Sequence, residues 1–211
     1  MARKELSAAA LLLLGLLHEQ PMHPYQVHQT LKQRGDDRLA SITPGSVYHA
    51  MERLESDGLV EVVGTDREGN RPQRTTYRLT DAGREVFAAR TARLLGEPRR
   101  EHPWFPLALS QAHAIDRASA LTALRARRAA LADELTAWTR RYDDVRSHGL
   151  PRRLLLDVEH DLHRIESELT WLDGLLADLD SGALDWDEPV PQSFRDFVAA
   201  RSRAQATDHV P

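Results

Sequence analysis

Two apolar repeats joined by a short break limit the C-terminal half of this chain to very few folds. Leu121, Leu124, Leu131, Leu135, Trp138, Tyr142 and Val145 recur at spacings of three and four, interrupted only at Arg128. Leu155, Val158, Leu162, Ile165, Leu169, Leu172, Leu176 and Leu179 repeat the spacing without interruption. Each run puts one apolar seam on a helix of about four heptads. The connection, Ser147-His148-Gly149-Leu150-Pro151, is short enough that the helices should return antiparallel. A fold about Gly149 sets Arg125 near Asp173 and Arg141 near Asp161, and sets Glu134 against Glu168. A two-helix hairpin has too little core by itself, so it is expected to pack on the same hairpin of a second subunit. The candidate dimerisation residues are Leu121, Leu124, Leu131, Leu135, Trp138, Leu162, Ile165, Leu169, Leu172 and Leu176.

The N-terminal half is organised around Ser41 to Leu79. Thr43 can cap a helix whose first residue is Pro44, a position where the missing N–H costs nothing. Val47, Ala50 or Met51, and Leu54 form an inward stripe, while Gly45, Ser46, His49, Glu52 and Arg53 face outward. Asp57-Gly58 ends the helix. Leu59 to Gly64 and Arg74 to Leu79 read as strands on either side of a polar turn, and from Asn70 to Thr80 there are three arginines and no acid. A helix followed by a two-stranded ribbon with a basic turn is a winged helix-turn-helix, whose helix enters the major groove. The candidate DNA contacts are Thr43, Gly45, Ser46, Tyr48, His49 and Arg53 on the helix, with Arg71 and Arg74 on the wing. Tyr48 adjoins the apolar stripe and can serve either the core or the DNA. Winged folds also act as protein–protein modules, so an interaction module without DNA binding is the alternative.

Around this motif, a helix over Ser7 to His18 is apolar nearly all round, which suits burial in an interface as well as a core. A second helix, Tyr25 to Arg34, should face inward through Tyr25, Val27 or His28, and Leu31. A fourth, capped by Thr80, runs to Gly96. The expected fold class is mainly α with a small β-wing: an N-terminal winged helix-turn-helix and a C-terminal antiparallel coiled-coil hairpin. The expected domains are 1–95 (winged), 96–106 (linker), 107–200 (helical dimerisation, with a possible effector-sensing role) and 201–211 (disordered tail). Leu184, Trp186, Val190, Phe194, Phe197 and Val198 should return to cover the hairpin.

The net charge of −4 divides into +1 for residues 1–93 and −5 for the rest. With so small a positive balance, DNA affinity should rest on a local patch doubled by dimerisation. The longest apolar run, Ala8 to Leu17, is too short to span a membrane and lacks the flanks of a secretory leader, so a cytoplasmic, nucleoid-associated protein is expected. The absence of cysteine excludes disulfides and cysteine-based zinc sites.

Several segments together resemble the PadR family of bacterial transcriptional regulators. They are Leu11 to Leu17, Pro21-Met22-His23-Pro24-Tyr25, Gly45-Ser46-Val47-Tyr48, Arg53-Leu54-Glu55, Asp57-Gly58-Leu59-Val60, and Tyr77-Arg78-Leu79-Thr80-Asp81-Ala82-Gly83. The resemblance covers residues 6–88. Residues 104–180 are similar in pattern to the longer helical C-terminal domain of one PadR branch. It implies a homodimeric repressor, joined through helix one and the C-terminal helices, that binds a partly palindromic operator on double-stranded DNA and is released by an effector. It also implies contacts from Ser46, Tyr48, His49, Arg71 and Arg74.

Trp104, Phe105, Trp138 and Trp171, with Trp186, could line an apolar cavity between the two domains and stack on a small aromatic effector, or could serve as core anchors. His160 and His163 fall on outward heptad positions, which argues against a metal site. No cofactor is expected. There is no P-loop, nucleophile elbow or HExxH motif, and hence no expected enzyme activity.

Overall fold

Ser7 starts the first helix by accepting a hydrogen bond from the Ala10 N–H at 3.2 Å. This helix, α1 (Ala8–Glu19), is followed by α2 (Pro24–Arg34) and α3 (Pro44–Ser56), then strands β1 (Val60–Asp66) and β2 (Arg74–Leu79), and then α4 (Asp81–Gly96). The computed structural model describes residues 6–66, 74–98 and 101–207. The chain divides into two compact units between Glu101 and His102.

In the first unit Leu13, Leu14 and Leu17 of α1, Val27 and Leu31 of α2, and Val47, Met51 and Leu54 of α3 share one core with the base of the wing. Glu19 at the end of α1 accepts a bidentate pair from Arg34 at 2.5 and 2.7 Å, closing α2 against α1. That guanidinium holds the Glu19 carboxyl below the usual carboxylate range. Tyr25 departs from expectation and is 58% exposed. Because Pro24 is the first helical residue, the buried stripe runs Pro24, Val27, His28, Leu31, and Tyr25 lies about a quarter-turn off it.

The strands pair antiparallel, Val60 with Leu79 through Asp66 with Arg74, with an irregularity at Val63. β1 extends two residues past the expected end at Gly64. Met22, between α1 and α2, exchanges both backbone hydrogen bonds with Tyr77 at 3.0 Å, so the wing is tied to the helices by a third extended residue. Burial, with Glu55 of α3 adding to it, pushes the Tyr77 phenol up. At the start of α4, Thr80 accepts from the Gly83 N–H at 3.0 Å and donates to the Gly58 carbonyl at 2.8 Å.

The second unit contains α5 (Trp104–Ser110), α6 (Arg117–Ser147), α7 (Leu156–Ser181) and α8 (Gln192–Thr207). The linker expected at 96–106 therefore ends in the first turn of α5. Helices α6 and α7 form an antiparallel pair with a core of Leu121, Leu124, Leu131, Ile165, Leu172, Leu176 and Leu179. The pairing is displaced from a fold about Gly149: Arg125 meets Asp180 at 2.7 Å, and Asp173 takes Arg128 at 2.8 Å. Glu168 pairs with Arg127 at 2.6 Å. In the connection a short 3-10 turn, Arg152–Leu154, precedes α7.

Near that turn Glu159 accepts from Arg152 at 2.9 Å and from the Tyr142 hydroxyl at 2.5 Å. These bonds, Arg152 first, lower the Glu159 pKa from the ordinary 4.5 to about 2. The contribution to stability is thus present above the unfolded-state value and is lost as pH falls from about 4.5 towards about 2. In acid titrations of unfolding, Glu159→Gln is expected to lie below the parent at neutral pH and to converge with it across that window.

After α7 the Trp186 indole N–H donates to the Ile115 carbonyl at 2.9 Å and the ring packs on the hairpin core. The rest of the tail does not close over the hairpin, and Leu184, Val190, Phe194, Phe197 and Val198 stay exposed. Helix α8 continues to Thr207, into the stretch expected to be disordered; Ala199, Ala200, Ala204 and Ala206 favour that extension. Among the described residues no helix is long and apolar enough to cross a membrane.

Candidate nucleic-acid interface

Helix α3 opens with a reciprocal capping box. Thr43 Oγ1 accepts from the Ser46 N–H at 3.1 Å, and Ser46 Oγ accepts from the Thr43 N–H at 2.9 Å and donates to the Thr43 carbonyl at 2.9 Å. Caps of this kind are worth about 1 kcal/mol. The hydroxyls of Thr43 and Ser46 therefore hold the helix tip in shape: Thr43 caps as the sequence indicated, and Ser46, expected only as an outward DNA contact, completes the box. Val47, Met51 and Leu54 anchor the inner face.

Gly45, Tyr48, His49, Glu52 and Arg53 are exposed along the outer face. A Cβ built on Gly45 would meet nothing within 4 Å, so the tip is open. Tyr48 resolves its two readings by standing 43% exposed, outside the core. Its ring meets His23 edge-on with centroids 6.2 Å apart. His49 Nδ1 lies 3.6 Å from Glu52. On the wing Arg78 is paired with Glu61 at 2.7 Å. Arg74 opens β2 opposite Asp66, while its side chain, like the whole of Arg71, lies outside the described residues.

The sequence reading opened α2 at Pro24 but turned Tyr25 inward and did not single out His23 or Gln29. The imidazole of His23 accepts from the Tyr25 N–H at 3.0 Å, and Gln29 Nε2 donates to the Tyr25 hydroxyl at 2.9 Å. Through the His23–Tyr48 contact this end of α2 adjoins the outer face of α3. The usable signal was Pro24, which sets the helical phase and turns Tyr25 outward.

The candidate effector residues are only partly brought together. Phe105 and Trp171 meet edge-on at 6.2 Å, and the Arg127 guanidinium lies 3.7 Å over the Phe105 ring. Trp104 is 84% exposed, and Trp138 lies beside Arg141 on α6. An open cleft of about 550 Å³ at the hairpin end is lined instead by Asp144, Val145, His148, Gly149, Leu150 and Pro151. Of the candidate dimerisation residues, Leu121, Leu124, Leu131, Ile165, Leu172 and Leu176 are buried within one chain, with Leu135 and Leu169 packed against them. Leu162 and Trp138 are half-buried. The seam is closed between α6 and α7 of a single chain, so the fully buried side chains in it are not available to a second copy.

Residues 13–89 match the Transcriptional regulator PadR-like family. Comparison with curated proteins finds no match. Among solved structures, Bacillus subtilis PadR in complex with operator DNA is 18% identical, with a TM-score of 0.72 over 82% of this chain and 99% of that one. The same regulator in complex with p-coumaric acid is 17% identical, with a TM-score of 0.70 over 82% and 99%. A PadR-like transcriptional regulator from Bacillus cereus is 15% identical, with a TM-score of 0.61 over 82% and 99%. Over residues 13–89, therefore, this chain is similar to the Transcriptional regulator PadR-like family, and it shares its fold with PadR structures.

Proposed function

We propose that this protein is a sequence-specific DNA-binding transcriptional regulator: a homodimeric, cytoplasmic repressor that leaves a partly palindromic operator when a small aromatic effector binds. The observation that carries the reading is the outer face of α3, rigidly capped at its tip, open along Gly45, Tyr48, His49 and Arg53, and followed by a two-stranded wing. That arrangement fits a major groove with the wing on the flanking backbone. Thr43 and Ser46 contribute by shaping the tip, and Arg71 and Arg74 supply phosphate contacts. The likeness to a PadR bound to operator DNA supports the same reading.

Dimerisation is assigned to α1, where Leu11 and Leu12 remain half-buried, and to the C-terminal helices, where Phe194, Phe197 and Val198 are exposed. The effector reading draws on the complex of a PadR with p-coumaric acid. Trp171, 47% exposed beside Phe105, offers a ring face on which an aromatic ligand can stack.

The test is fluorescence anisotropy on a duplex from upstream of the protein's own gene, titrated with salt and unrelated competitor. Arg74→Ala is expected to weaken binding to all sequences and to flatten the salt slope by about one unit. Wild-type behaviour would overturn the wing assignment. The net charge of only +1 over residues 1–93 favours a second reading, an interaction module without DNA binding. Failure of the wild type to bind any duplex at low salt, or heparin, would establish it.

A further inference from the structure

We infer that Tyr25 is a neutral phosphate-binding residue of the DNA interface, its phenol hydroxyl donating to a backbone phosphate beside the groove that receives α3. The inference rests on the regulator reading above and adds a contact to it. Tyr25 has most of its ring surface in solvent although it stands one residue from the buried stripe of α2.

Two contacts join it to the candidate interface. His23 accepts the Tyr25 N–H and closes the start of α2 with its own ring, and that ring meets Tyr48 on the outer face of α3. The hydroxyl is also prepared for donation. Gln29 Nε2 donates to its oxygen at 2.9 Å and restrains the ring, which leaves the O–H proton for another acceptor.

The supply of other donors makes this group count. The Ser46 hydroxyl donates to the Thr43 carbonyl, His49 sits beside Glu52, and Arg78 is paired with Glu61. A domain with a net charge near +1 has few cations to spend on phosphates. Where a helix-turn-helix docks, the helix before the recognition helix crosses the backbone, and tyrosine is among the side chains that bind phosphate there.

The experiment is Tyr25→Phe in the full chain, assayed by anisotropy on two duplexes of unrelated sequence across a salt series, with a thermal melt as the fold control. The expected result is an unchanged melt, a loss of about tenfold in affinity that is equal on both duplexes, and an unchanged salt slope, since a phenol releases no counterion. Wild-type affinity in the variant overturns the inference, as does a loss confined to one duplex or an altered slope. If the wild type itself binds neither duplex, the regulator reading falls and this contact with it. If the wild type binds and the variant matches it, only the Tyr25 contact falls.

Discussion

Gly83→Ala is expected to destabilise the first unit by about 3 kcal/mol, at the upper end of what overpacking usually costs. In a helix the exchange of glycine for alanine ordinarily gains up to about 1 kcal/mol. Here a Cβ would lie 2.1 Å from the Leu59 carbonyl oxygen and 2.9 Å from Leu79 Cδ1. The nearest obstacle is backbone, and Leu59 is held in place because its carbonyl accepts the Thr80 N–H at 3.1 Å. Sterics therefore outweigh propensity. Amide hydrogen exchange should lose protection together in β1, β2 and the start of α4. The contrast is Gly174 in α7, where an added Cβ meets nothing within 4 Å, so alanine there should be neutral or stabilising. Equal melts for Gly83→Ala and wild type would mean that α4 can slide off Leu59, and that the close approach is not a requirement of the fold.

Leu172→Ala should cost about 3 kcal/mol in the second unit, within the range for removing a fully buried leucine. Leu172 is 0% exposed and lies in the seam with Leu121, Leu124 and Leu131. A long, thin helix pair has little neighbouring mass to collapse into the vacated space. Denaturant unfolding followed by tryptophan fluorescence reads this change, because all four tryptophans, Trp104, Trp138, Trp171 and Trp186, lie in that unit. A shift below 1 kcal/mol would indicate that the seam is loosely packed in the isolated chain.

These two sites show where the sequence was and was not informative. Leu172 was legible as a seam residue because a heptad repeat is a property of neighbours three and four apart. Its role was less so: the sequence assigned it to an interface between subunits, and the structure places it within one chain. Gly83 was visible only as part of a family-like segment, since the carbonyl that demands a glycine belongs to Leu59, across the wing.

Among candidate interface residues, the start of α3 was readable from Thr43, Pro44 and Ser46. The outward turn of Tyr25 was not read, because it depends on a helical phase set by Pro24 and on the burial of Val27, His28 and Leu31. Tyr48 could not be placed from its spacing alone, and its position became clear only against His23.

What the sequence determined by itself was local: the helices and strands, their caps, and the apolar stripes, all governed by hydrogen bonds and side-chain periodicities spanning a few residues. What only the tertiary structure decided was which distant groups meet. Asp173 pairs with Arg128 rather than Arg125, Met22 joins the wing at Tyr77, Gly83 rests on Leu59, and of the candidate effector aromatics Phe105 and Trp171 meet. Such meetings depend on how far a connection carries the chain before the next element begins. In the hairpin, the short turn at Arg152–Leu154 lies between the two helices, and Arg125 meets Asp180 rather than Asp173.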